Sequence, residues 1–124
     1  MNHQRPVNLD LSSLKYPPMA IVSILHRISG IVLFLLLPFM LCYLSQSLVS
    51  EDSYAALQVS FAKPFHKLML WWFSTALMYH VIAGMRHLIM DLGFGEHLVA
   101  ARRSAFLVII LSVLIAISLG VWIC

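Results

Sequence analysis

Charge is what this chain has least of. Only 10% of its 124 residues are Asp, Glu, Lys or Arg, whereas 61% are hydrophobic. A soluble domain carries about a quarter charged residues. So few cannot clothe a water-facing surface, and the chain reads as an integral membrane protein. Its net charge of +3 is spread along the sequence with no basic run, which speaks against nucleic acid as a partner. Cysteine is scarce too: Cys42 and Cys124 lie in apolar surroundings, and no C-x-x-C occurs. A disulfide framework and a structural zinc site are thereby disfavoured, and covalent attachment of a c-type haem lacks its C-x-x-C-H motif. Repeats and low-complexity segments are absent. The first apolar run is too long for a signal-peptide core and closes on no small-residue cleavage pattern, so the N-terminus is expected to be retained.

What is present is three charge-free stretches, 28–50, 68–85 and 104–124. A helix crosses the hydrocarbon core with roughly 20 apolar residues, and each stretch qualifies once its flanks are added. Backbone polar groups inside lipid must pair within their own segment, so each span is expected to be helical. The predicted fold is all-α, one membrane domain over 1–124 with three transmembrane helices at about 19–48, 65–90 and 104–124. A polar segment, 1–18, precedes them. Pro38 falls inside the first span and is a candidate kink. The linkers "SEDSYAALQVSFAKP" and "DLGFGEHLVAARRS" join the spans.

Basic residues set the orientation. Arg5, Lys15, Arg27, Arg86, Arg102 and Arg103 fall on the side of the N-terminus and the second linker, against Lys63 and Lys67 on the other. Six against two predicts an N-terminus in the cytoplasm, or in the matrix for a mitochondrial protein.

Two polar clusters interrupt the apolar pattern. The first span enters through "SILHRISG" (23–30) and the second, running back, leaves through "HVIAGMRHLIMD" (80–91). Both therefore belong at the same end of the membrane. Ser23, His26, Arg27 and Gly30 share a helical stripe, as do His80, Gly84, His87 and Asp91. His80 lies roughly 10 Å deeper than His87 at 1.5 Å per residue. Asp91 is placed to hold the His87 imidazole or to pair with Arg86. Ionisable residues inside spans face a bundle interior or cavity and mark a functional path.

A b-type haem suits this layout. A neutral imidazole binds iron, a glycine one turn away admits the flat macrocycle, and cationic groups nearer the surface meet the propionates. A quinone suits it as well, because it needs an apolar slot with hydrogen-bond donors such as Ser23 and Arg27. Plainer roles stand beside these. His80 can make an interhelical hydrogen bond, Arg86 and His87 can be interfacial anchors, Arg27 can snorkel, and Ser23 can bond to its own helix. His3, His66 and His97 read as interfacial or tail residues, and Trp71, Trp72 and Tyr79 as packing or interfacial aromatics. No other histidine stands at the depth of His80 on a facing span, so a second axial ligand is expected from another chain.

The segments "RPVNLDLSSLKYPPMAIVSILHRISG" (5–30) and "HVIAGMRHLIMD" (80–91) resemble the two signature regions of the cytochrome b membrane-anchor subunits of succinate dehydrogenase. The family patterns R-P followed by S-x-x-H-R-x-x-G, and H-x-x-x-G-x-R-H-x-x-x-D, are complete here. The resemblance implies a subunit of a hetero-subunit helical bundle in a bacterial or mitochondrial inner membrane, partnered by a flavoprotein, an iron–sulfur subunit and a second small anchor. It implies His80 as an axial ligand of haem b shared with that second anchor, and Ser23 and Arg27 at a ubiquinone site. His26 and Arg27 would lie near the haem propionates, with His87 and Asp91 as supporting residues and the 5–11 segment against the soluble subunits. The chain has no flavin motif, dicarboxylate site or cluster cysteines and would not oxidise succinate alone. Rival readings are the anchor of a fumarate reductase and a haem-free structural membrane subunit.

Overall fold

The structure is a computed structural model that describes residues 18–124. The segment 1–17, with Arg5, Lys15 and the 5–11 stretch, lies outside the described residues. Four helices follow one another: α1 (Pro18–Val49), α2 (Glu51–Phe61), α3 (Pro64–Asp91) and α4 (Leu98–Ile123). Among the described residues there is no strand. Three of the helices, α1, α3 and α4, are long and apolar enough to cross a membrane. The protein is all-α and multi-pass.

Local chemistry sets the ends. The side chain of Ser50 accepts the backbone N–H of Ser53 at 3.0 Å and caps α2, whose first turn carries Glu51 and Asp52. Both features satisfy the free amides and positive end of a helix start. Pro64 opens α3 at a position where its missing N–H costs nothing, and Lys63 before it is extended. At the end of α3, Gly93 takes φ +92°, the Gly93 N–H donates to Met90 O, and the Phe94 N–H donates to Ile89 O. This paired reversal stops the helix through a residue that tolerates left-handed backbone. α1 runs through Pro38 as one helix.

Early α1 meets late α3, since the Tyr79 hydroxyl donates to Val22 O at 2.7 Å, while Tyr43 meets His66. Early α3 meets late α4, where the Trp71 indole donates to Ala116 O at 2.9 Å. The three spans therefore alternate in direction, with α3 packed on both α1 and α4 and α2 lying on α1 and α3. The core is thin and built mostly from small residues around one aromatic: Val22, Ala83, Ala105 and Val108 with Tyr79. Ala76, Ala83, Ala101 and Ala105 let helices approach closely. Large apolar side chains such as Phe34, Leu35, Leu107 and Trp122 point outward, the arrangement that lipid favours.

Two expectations change. The first linker contains the helix α2, and α4 begins at Leu98, before the charge-free run at 104. Arg102 and Arg103 are exposed on α4 while Ala101 and Ala105 are buried, so a helix can carry both charges on its outer face.

Candidate functional site

The two polar stripes face each other where the first turns of α1 cross the last turns of α3. His26 and His80 stack with ring centroids 4.1 Å apart and planes 15° from parallel. His87 tilts against His26 at 5.2 Å. Glycines make this approach possible. A methyl on Gly30 would sit 3.3 Å from the His80 ring, and one on Gly84 would sit 3.3 Å from His26 Nε2. Each helix thus gives up a side chain where the other inserts an imidazole. The space beside Gly84, which the sequence reading assigned to a flat macrocycle, holds the edge of His26. The reason is the close packing of α1 on α3.

Ser29 completes the contact and was not among the sequence-derived candidates. It is buried, 6% exposed. Its hydroxyl donates to the His26 carbonyl at 2.7 Å and lies 2.9 Å from His80 Nδ1. The available signal was position: Val22, His26, Ser29 and Gly30 follow the i, i+4, i+7, i+8 spacing of a buried face. Ser23 is half-buried one turn from Arg27, which is exposed, as is Asp91.

Arg86 departs from the interfacial-anchor reading and from the pairing with Asp91. It is 7% exposed. Its Nε donates to Ser104 Oγ at 3.0 Å and its Nη2 donates to Ala101 O at 3.1 Å. Tyr79, Ala83 and Arg86 share the α3 face turned to the core, so the guanidinium is drawn inward to α4 and ties the two helices. Tyr79 and Trp71 are packing residues, each donating to a backbone carbonyl.

Chemically, the trio of histidines is not a cage. Among the described residues, no group of three or more His, Cys, Asp or Glu side chains is arranged to hold a metal ion. Stacked imidazoles have nearly parallel planes, and their in-plane lone pairs do not converge on one point.

The family model described as succinate dehydrogenase/fumarate reductase transmembrane subunit matches residues 1–119. The chain is 46% identical over 124 residues to the succinate dehydrogenase cytochrome b556 subunit of Coxiella burnetii, covering 99% of both chains. It is 30% identical over 113 residues to the cytochrome b556 subunit of Paracoccus denitrificans, covering 91% of this chain and 87% of the relative. It is 31% identical over 100 residues to the succinate dehydrogenase cytochrome b560 subunit of Reclinomonas americana, covering 77% and 69%.

Proposed function

The chain belongs to the family of succinate dehydrogenase/fumarate reductase transmembrane subunits, and from that premise we propose that it helps to bind haem b and ubiquinone and passes electrons from succinate oxidation to the quinone. The observation that carries this reading is the pairing of Ser29 with His80 beside Ser23 and Arg27, all on one end of the α1–α3 contact. His80 would hold the iron through one imidazole nitrogen, and a second anchor subunit would supply another ligand. When bound, the haem supplies a one-electron store. His26 stacks on the His80 ring and limits its rotation. Arg27 and His26, nearer the membrane surface, suit the propionates, with His87 and Asp91 in support.

Ser23 and Arg27 would bind the quinone head group. A hydroxyl and a guanidinium one turn apart can donate to one carbonyl, and the fixed positive charge favours the negative charge that develops there during reduction. The flavoprotein and iron–sulfur subunits would dock at this same end. Arg27, Arg102 and Arg103 gather there, against Lys63 and Lys67 at the far end, a distribution that supports an N-terminus on the cytoplasmic or matrix side of the inner membrane.

Two measurements test the reading. A complex isolated through a tag on this chain is expected to give a b-type reduced-minus-oxidised spectrum; an intact complex without one removes the haem role. Arg27→Ala is expected to slow quinone reduction tenfold or more, about 1.4 kcal/mol or above, while dye-linked succinate oxidation persists. Unchanged quinone kinetics would take Arg27 out of the site.

A further inference from the structure

We infer that Ser29 is the positioning residue of the His80 imidazole: it fixes the tautomer in which Nδ1 carries the proton and leaves Nε2 as the free ligand nitrogen. The inference rests on the haem reading above and extends it to a residue at an unspecified position of the first signature pattern.

The argument is a proton count. A serine hydroxyl has one proton and two acceptor lone pairs. The Ser29 oxygen is 2.7 Å from the His26 carbonyl oxygen and 2.9 Å from His80 Nδ1. A carbonyl has no proton to give, so the 2.7 Å contact is a hydrogen bond only if serine donates. The same proton cannot also go to His80. For the second contact to be a hydrogen bond, Nδ1 must carry hydrogen and donate to serine. In a neutral imidazole the lone pair then resides on Nε2.

The geometry holds the ring as well as its proton. Ser29 sits beside Gly30, whose missing side chain leaves 3.3 Å between a would-be methyl and the His80 ring. His26 covers the ring face at 4.1 Å. The imidazole is therefore fixed by an edge bond and a stacked neighbour, both from α1. Metal-binding histidines donate their second N–H to an outer partner in this way, which orients the ring and raises its basicity. A more basic imidazole stabilises the oxidised iron, so weakening the bond moves the haem midpoint potential upward.

The test is a potentiometric titration of haem b in the assembled complex, with the low-spin ferric signal followed by electron paramagnetic resonance. Ser29→Ala is expected to shift the midpoint upward and alter that signal, whereas Ser29→Thr, which keeps the hydroxyl, leaves both near wild type. Ser29→Cys, close to serine in shape but a weaker acceptor, is expected to shift the midpoint upward by a smaller amount, and it decides the matter if the alanine variant does not assemble. Assembled Ser29→Ala or Ser29→Cys complexes with unchanged midpoint and signal would overturn the inference. His80→Ala in parallel separates the two failures. If it removes or disturbs the haem signal while the Ser29 variants do not, Ser29 alone is wrong. If it leaves the signal intact, the ligand assignment is wrong and the inference falls with it.

Discussion

Two histidine–hydroxyl pairs stand at opposite ends of the α1–α3 contact, and they differ in what else holds the hydroxyl proton. Ser29 faces His80 at one end, and Tyr43 faces His66 at 2.6 Å at the other. In each helix the two positions are fourteen residues apart, roughly 21 Å along the axis. Ser29 has committed its proton to a backbone carbonyl and accepts from His80. Tyr43 has no such commitment. Its other polar neighbour is the weakly accepting Met69 Sδ at 3.9 Å, so the phenol proton is not held by a strong acceptor elsewhere and is free to serve His66 Nδ1. The environments diverge in the same sense. His80 is stacked on a second histidine, while His66 is edged by Tyr43, Phe61 and Phe65. In the proposed reading one pair presents a ligand nitrogen, and the other ties a helix end together.

The largest expected effect tests that division directly. His80→Ala is expected to abolish or grossly disturb the b-type spectrum, and His66→Ala to leave its band positions unchanged. An equal loss in both variants, with the complex assembled, would mean that the two ends are not functionally distinct.

The same division shows where the sequence was readable. The three spans follow from long charge-free runs, because lipid leaves a chain no other way to satisfy its backbone. α2 was read only as linker. An eleven-residue helix is marginal by itself and here lies against α1 and α3, although Ser50 with Glu51 and Asp52 was a visible start signal. His26, His80 and His87 come together as their stripes foretold. Ser29 was missed because a serine among apolar residues carries no chemistry until its neighbours are known. Arg86 was misjudged because charge count assigns a basic residue to the interface, whereas its place on the face of Tyr79 and Ala83 turns it inward. The lesson is that residue type marked which side chains meet, and packing face marked what holds them.

A smaller contrast concerns the two ties between α3 and α4. Arg86 reaches Ala101 O and Ser104 at the histidine end, and Trp71 reaches Ala116 O at the far end. A charge-assisted bond contributes about 1.5–3 kcal/mol and a neutral one about 1 kcal/mol. Arg86→Met is therefore expected to lower the thermal midpoint of the detergent-solubilised complex more than Trp71→Phe. The arginine variant should also release haem earlier on heating, because its end of α3 carries His80. Equal losses, or a larger one for Trp71→Phe, would place the main tie at the far end.

The smallest expected effect belongs to Tyr43→Phe. The ring stays, and its edge contacts with Phe61 and His66 survive the change. Only the hydroxyl is lost, leaving His66 Nδ1 without a donor at a half-buried position. That nitrogen can recruit water at the membrane surface, so the expected loss is about 0.5–1.5 kcal/mol, read as a slightly lower thermal midpoint. The haem spectrum, midpoint potential and quinone kinetics are expected to stay at wild-type values. A shift in midpoint potential with Tyr43→Phe comparable to that with Ser29→Ala would break the comparison, because the two hydroxyls would then act on the haem alike despite standing at opposite ends of the contact. A thermal effect confined to stability would instead mark the Tyr43–His66 pair as structural, and only at the other end would a hydroxyl tune a ligand.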